Sequence, residues 1–271
     1  MRRLIQFVMF FIINPVLPNY FKGTIYQGPL KSFCVPALNC WSCPAATYSC
    51  PIGAIQNSVS YFKYHISLYT ISILGLTVFF TGRLFCSFAC PFGLLQDLIH
   101  KIPSKKTKIF KPKWKYSKFV ILVIFVFILP FLTKDPWFSK ICPAGFYLAS
   151  LPLIAGDRSI LDNISYFFYI KLFLSSVFFV AAVRISRPFC QYVCPVGAIF
   201  ELMRPWSLLK IKVNNDTCIS CDLCMKTCPM DIPIYKTTRD CIQCGNCVKA
   251  CPNGSIKIEH KLIKKKEAEV L

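Results

Sequence analysis

Two runs of cysteine near the end of the chain have a spacing suited to one-electron chemistry. The first reads Cys218-Ile-Ser-Cys221-Asp-Leu-Cys224-Met-Lys-Thr-Cys228-Pro229. The second reads Cys241-Ile-Gln-Cys244-Gly-Asn-Cys247-Val-Lys-Ala-Cys251-Pro252. Each is C-x2-C-x2-C-x3-C-P, the bacterial ferredoxin spacing for a [4Fe–4S] cluster. Three thiolates on one loop bind three irons of a cube, and the fourth iron takes a thiolate from the other run. The expected sets are Cys218, Cys221 and Cys224 with Cys251, and Cys241, Cys244 and Cys247 with Cys228. Pro229 and Pro252 keep each loop from turning straight into a helix through its last ligand. Zinc sites usually pair two C-x2-C knuckles with no third cysteine after two more residues. A disulfide framework suits a small secreted domain rather than the tail of an apolar chain. The tail is therefore read as holding two [4Fe–4S] clusters.

The elements that must carry this tail are apolar. The chain has 271 residues, 55% hydrophobic and 16% charged, against about a quarter charged in an ordinary soluble domain. The apolar residues fall in runs, so the class is a multi-pass membrane protein with a small soluble tail. The net charge of +20 would suggest nucleic acid in a soluble protein. Here the lysines cluster beside hydrophobic runs, as the positive-inside rule expects. There is no P-loop, no G-x-G-x-x-G and no nucleic-acid module. Of 17 cysteines, those outside the tail need their own account.

Four spans are expected. Arg2 and Arg3 precede the first, Leu4–Leu17, which a signal peptide would also resemble; no small-residue cleavage site follows, so it is read as uncleaved and reaching from Met1 to near Tyr20. Ile66–Gly82, Phe119–Leu132 and Ile164–Val183 are the others. The stretch Lys101–Lys118 carries eight lysines and no acid. It belongs in the cytoplasm, either as a solvated face or as a dock for an acidic partner or anionic lipid. Arg184 and Arg187 fall on the same side. This puts both termini and the ferredoxin-type tail in the cytoplasm, at the plasma (inner) membrane. The expected organisation is a membrane repeat over residues 1–100, a basic loop 101–118, a second repeat 119–205, a two-cluster domain 206–260 and a charged tail 261–271.

The halves repeat. Gly82-Arg83-Leu84-Phe85-Cys86-Ser87-Phe88-Ala89-Cys90-Pro91-Phe92-Gly93 matches Ser186-Arg187-Pro188-Phe189-Cys190-Gln191-Tyr192-Val193-Cys194-Pro195-Val196-Gly197 at a constant offset of 104. Asp97 and Glu201 extend the register. A looser repeat joins Cys50-Pro51-Ile52-Gly53 to Cys142-Pro143-Ala144-Gly145 in the outer loops. Both halves run the same way, a parallel repeat about an axis along the membrane normal. Such an axis brings Cys86, Cys90, Cys190 and Cys194 together at the cytoplasmic surface. In a helical exit, C-x3-C places both thiols of a motif on one face. Four thiolates there suffice for a third [4Fe–4S] cluster; helix packing is the plainer use.

Paired C-x3-C-P motifs after spans, four spans and a two-cluster tail resemble the NapH-type membrane iron–sulfur proteins, with the C-terminal half of NosR and the PceC-type proteins similar. The resemblance covers nearly the whole chain. It implies an α-helical membrane domain of two parallel repeats and a C-terminal α+β two-cluster ferredoxin-like domain. It also implies passage of electrons from quinol to other redox subunits, with Cys86, Cys90, Cys190 and Cys194 at the family's C-x3-C-P positions. The chain differs in lacking a flavin-bearing domain and in carrying Cys34, Cys40, Cys43 and Cys50 in its outer loop.

Those four, with Cys142, admit a cluster, disulfides or free thiols. Cys40-Trp41-Ser42-Cys43 is followed by Pro44 and not His, so it is no c-type haem site. Lys171 lies inside the fourth span, where a charge marks either function or snorkelling to the outer face. His65 and His100 are each a candidate proton acceptor for quinol or a polar anchor. The expected function is an electron-transfer subunit between the quinone pool, or an outer-face redox partner, and a cytoplasmic partner. The alternative is a redox-sensing or metalloenzyme-maturation membrane protein. A self-contained enzyme is disfavoured, because no catalytic triad, paired-carboxylate site or organic-cofactor motif stands out.

Overall fold

A computed structural model describes residues 2–61, 68–107, 112–156 and 165–260. His65, part of the basic stretch and the charged tail 261–271 lie outside the described residues. The first half comprises helices α1 (Arg2–Ile13), α2 (Pro51–Ser60), α3 (Leu68–Thr81), α4 (Leu84–Phe88) and α5 (Pro91–Ile99). The second comprises α6 (Trp114–Thr133), α7 (Pro143–Gly156), α8 (Tyr166–Arg184), α9 (Pro188–Tyr192) and α10 (Pro195–Met203). Strands β1 (Leu209–Val213) and β2 (Ile256–His260) pair antiparallel around the tail, which also holds α11 (Leu223–Lys226) and α12 (Asn246–Ala250).

Two of these helices, α6 and α8, are long and apolar enough to cross a membrane. Helix α3 has 14 described residues, and the Ile66 expected at its start lies outside the described ones. Helix α1 stops at Ile13 rather than near Tyr20. Pro15 disfavours the helical conformation at Asn14 and supplies no amide to continue the ladder. On all four helices large apolar side chains stand in the open, among them Leu4, Leu76, Phe127 and Phe173. Gln6 of α1 and Asn14 just beyond its end point the other way and are buried.

The middle of α6, Leu122–Ile128, is π-helical. Widening the ladder releases a carbonyl, and Gln56 of α2 takes up that of Phe125 at 3.0 Å while accepting from Ser139 at 2.9 Å. This buried amide ties α2 of one half to the long helix of the other.

The repeat is visible in three dimensions. Cys90 and Cys194 are N-caps of α5 and α10, each followed by proline at the first helical turn, where its missing amide costs nothing. Cys50 caps α2 the same way, and Cys142 precedes Pro143 at the start of α7. One continuous core takes in Cys90, Cys142, Cys194, Phe92 and Phe189. A separate core fills the tail around Met230, Ile232 and Ile242.

Candidate iron–sulfur centres

In the tail, the two cysteine runs cross. Cys218, Cys221, Cys224 and Cys251 line one small cavity. The thiols of Cys228, Cys241 and Cys244 sit close enough to Cys247 to repel its charge. Each loop turns through residues with positive φ, Ser220 and Asp222 in the first run and Gln243 and Gly245 in the second. That turn wraps the cysteines around a common centre and points amides at sulfur: Gln243 N–H meets Cys241 Sγ at 3.3 Å. Burial and neighbouring thiols push Cys228 up to about 11 and Cys247 up to about 12. Thiols crowded in this way become thiolates when a cationic metal core offsets them, because a coordinated thiol loses its proton. Among the described residues, no three His, Cys, Asp or Glu gather as ligands of a single ion. Four sulfurs around a cavity suit the larger body of a cluster.

The C-x3-C-P cysteines converge as well. The thiols of Cys86, Cys90 and Cys190 all lie within electrostatic reach of Cys194, and Cys86 is likewise close to Cys190. Cys86 and Cys190 also pack against the tail core, whereas Cys90 and Cys194 sit in the helical core. This group therefore lies where the helical part meets the tail.

Two arginines, expected from sequence only as span-ending charges, flank it. Arg83 is 1% exposed and Arg187 is 0% exposed. Each reaches into the other half. A Cβ on Gly93 would stand 3.6 Å from Arg187 Cζ, and one on Gly197 would stand 3.3 Å from Arg83 Nη2. The approach is tight at Gly197 and an ordinary contact at Gly93. Arg187 grips Asp97 with two hydrogen bonds and donates to the Cys86 carbonyl at 2.9 Å. Gln96 donates to Cys190 Sγ at 3.2 Å. Three buried polar atoms here, Arg83 Nε, Ser87 Oγ and Gln191 Oε1, have no hydrogen-bond partner among the described residues. Ser87 and Gln191 are equivalent positions in the repeat. Four sulfurs, two buried guanidiniums and these polar atoms suit an anionic group of cluster size.

The tail docks on Arg83. Gln243 accepts from Arg83 N–H at 2.7 Å, in the space left by Gly82 at φ 63°. Asp240 lies 3.8 Å from Arg83 Nη1 and 3.5 Å from Lys115 Nζ, and it also pairs with Lys118. Lys118 and Arg239 pair in turn with Glu201. Lys115 and Lys118 are thus buried, not part of a solvated face. Arg2 brings α1 to Asp97 at 2.9 Å and close to Cys244. Sequence reasoning missed Gln96, Gln243, Lys118 and Asp240; the Asp97 and Glu201 register was the one signal toward this network.

The outer cysteines gather too. Cys142 is near Cys40 and Cys50, Cys34 is near Cys50, and Cys40 is near Cys43. None of the 17 forms a disulfide. Lys171 turns inward, donating to Ser150 Oγ at 3.2 Å, and does not snorkel. His100 meets the Ala182 carbonyl at 3.1 Å, an anchoring contact.

A cavity of about 690 Å³ opens between α6 and α8. Its wall is apolar and runs from Cys142 and Pro143 at one end to Pro188, Phe189 and Tyr192 at the other.

The comparisons agree with the site chemistry. Residues 64–110 and 167–214 each match a 4Fe-4S binding domain, and residues 210–252 match a 4Fe-4S dicluster domain. The chain thus carries 4Fe–4S ferredoxin-type domains. The protein MJ0750 of Methanocaldococcus jannaschii is 30% identical over 56% of this chain and 61% of its own length. YccM of Escherichia coli, named for electron transport, is 28% identical over 69% of this chain and 54% of its own. The methylamine utilization ferredoxin-type protein MauN of Paracoccus denitrificans is 28% identical over 55% of this chain and 48% of its own. The chain spans about half to two thirds of the length of the curated relatives it matches. No solved structure matches.

Proposed function

We propose that the chain is a membrane-bound iron–sulfur protein that relays electrons between the quinone pool, or an outer-face redox partner, and a partner that meets its tail. The observation that carries this reading is the ordered row of cysteine groups. Cys86, Cys90, Cys190 and Cys194 sit at the tail's inner face. Cys228, Cys241, Cys244 and Cys247 come next, beside Arg2, Arg83 and Arg204. Cys218, Cys221, Cys224 and Cys251 form the far group, with Cys221 exposed. Each group is assigned one [4Fe–4S] cluster, three in all, which supply one-electron chemistry when bound. The chain's part is to space and tune them.

The apolar cavity beside Phe189 and Tyr192 is the proposed quinone seat. Its volume falls in the range of about 300–1,000 Å³ usual for small-molecule sites. Its apolar wall suits a ring and its isoprenoid tail, and its inner end abuts the helix that carries Cys190. Open apolar faces on α1, α3, α6 and α8 support four spans, and the buried side of Arg83 and Arg187 supports placing the tail in the cytoplasm.

Full-length protein purified in detergent without oxygen tests the reading. The three clusters account for about twelve of the irons per chain and are reduced by a menaquinol analogue. Ala181→Trp, which fills the cavity, should abolish quinol reduction while dithionite still reduces every cluster. Cys190→Ser should lose about four irons, and unchanged iron in that variant would remove the cluster at the C-x3-C-P group. Undiminished quinol reduction in Ala181→Trp would remove the quinone seat. Reporter fusions at Lys105 and Ser139 should label from opposite sides of the membrane; the same side for both would overturn the four-span arrangement.

A further inference from the structure

Cys34, Cys40, Cys43, Cys50 and Cys142 remain without a role. Cys40, Cys43, Cys50 and Cys142 each hold sulfur over a short turn whose own amides point at it. The donors are Ser42 for Cys40, Ala45 and Ala46 for Cys43, Ile52 and Gly53 for Cys50, and Ala144 and Gly145 for Cys142. The tail uses the same device at Cys241, where Gln243 N–H meets sulfur, and at Cys251, with Asn253 and Ser255. Cys34 differs: its sulfur meets the Ser49 side chain, and of the other thiols it faces Cys50. The turns abut one another. A Cβ on Gly145 would stand 3.4 Å from Cys40 Sγ, so the Cys142 turn lies directly against the C-x2-C knuckle. Tyr20 Oη stands 3.2 Å from Cys43 Sγ.

Charge is the independent observation. Lys31 is 3% exposed and lies close to Cys40 and Cys43. Lys171 Nζ would lie 3.1 Å from a Cβ on Gly145 and is also close to Cys40. Among the described residues neither lysine has a carboxylate partner; Lys31 donates to the Ala46 carbonyl and Lys171 to Ser150. Lys31, which also lies over the Trp41 ring, is buried and Lys171 half-buried, and a buried ammonium is costly unless an anion offsets it. Both side-chain atoms of Asn39, whose amide N–H meets Cys50, are buried without hydrogen bonds. A thiolate-bound cluster is the anion this setting accommodates.

We infer that Cys40, Cys43, Cys50 and Cys142 bind a further [4Fe–4S] cluster, with Lys31 and Lys171 as its counter-charges. It deepens the electron-transfer reading by placing a further station beside the C-x3-C-P group. The backbone amides of Asn39 and Leu38, adjacent in sequence, meet Cys50 and Cys90 respectively. Two residues therefore link this centre to the C-x3-C-P group. One electron passing inward turns one ferrous ion here to ferric and one ferric ion there to ferrous.

The test is iron and acid-labile sulfide in the full-length protein, with EPR of the tail as internal control. Cys142→Ser and Cys50→Ser should each lose about four irons and four sulfides per chain and keep the tail signals. Cys34→Ser should lose none. Lys171→Gln removes charge without removing a ligand; it should keep all iron and lower the midpoint potential of one signal. Unchanged iron in Cys142→Ser, stoichiometric zinc, a Cys50–Cys142 disulfide in the anaerobic protein, or equal loss in Cys34→Ser would each overturn the assignment. Intact tail signals in that outcome leave the electron-transfer reading standing; their absence from wild-type protein would sink that reading instead.

Discussion

Arg187 reaches from the second half of the chain to Asp97 in the first, with Nε 2.9 Å from Oδ1 and Nη2 2.7 Å from Oδ2. Both side chains are buried, and Arg2 adds a contact to Oδ2 at 2.9 Å. The planar fork matches the carboxylate, which an ammonium cannot do.

Asp97→Asn should destabilise the protein by about 3–5 kcal/mol, because it leaves a buried guanidinium without its counter-charge. Arg187→Lys should not rescue the loss. Thermal unfolding in detergent, followed by tryptophan fluorescence, reads both. A change below about 0.5 kcal/mol, ordinary for a surface site, would mean that the pair does not hold the halves together.

The crossed tail ligation predicts a reciprocal pair. Cys251→Ser should remove the far cluster of Cys218, Cys221 and Cys224, and Cys228→Ser the near cluster of Cys241, Cys244 and Cys247. EPR of full-length variants distinguishes them through the loss of magnetic coupling and the surviving potential. The reverse assignment, with Cys251→Ser damaging only the near cluster, would show that each run closes on itself.

Asp240 predicts a flat response over working pH. Burial alone would raise its pKa, but the charges of Lys118 and Arg83 hold it at about 2, against about 3.9 in an unfolded chain. Its folded form binds a proton less readily, so its contribution is complete above about pH 4 and is lost as pH falls toward 2. The stability difference between wild type and Asp240→Asn should therefore be constant from about pH 8 to about pH 5. A difference that shrinks across that interval would show that another group governs docking of the tail.

Gln96 tunes by hydrogen bond. Its Nε2 donates to Cys190 Sγ while its Oε1 accepts from Phe189 N–H at 3.2 Å. Donors to sulfur stabilise the reduced, more negative state, and such bonds help set cluster potentials. Gln96→Leu should lower the midpoint potential of the C-x3-C-P centre by tens of millivolts and leave the tail signals in place. A redox titration monitored by EPR measures this; an unshifted potential would mean that Cys190 is not a ligand.

What the sequence made legible was local. The tail runs could be paired by inspection because each carries its ligands within a few residues, and the cavity groups Cys218 with Cys251 as that spacing implies. The repeat identified equivalent positions, and Cys86, Cys90, Cys190 and Cys194 do converge. It did not reveal that Arg83 packs on Gly197 and Arg187 on Gly93, because equivalence carries no information about which half a side chain enters. Lys115 and Lys118 looked solvated for a related reason. Their stretch contains no acid, and of the two carboxylates that Lys118 meets, Glu201 and Asp240, the second is 122 residues away. The five outer cysteines stayed open between three fates because their spacings match no single pattern; only tertiary contact brings Cys142 to Cys40.

The crossing of the two arginines bears on how such a chain could arise. A polypeptide of half the length, with one arginine, one C-x3-C-P and one acid, has no means of completing the centre alone. It would do so by pairing with an identical copy about a two-fold axis, each lending its arginine to the other. Fusing the copies removes the dependence on concentration and releases the two acids from identical duty. Asp97 keeps the arginine of its neighbour, Glu201 turns to Lys118, and Arg83 is left to seize Asp240 of the appended tail. The cysteine group keeps the symmetry of the repeat, and its ion pairs do not.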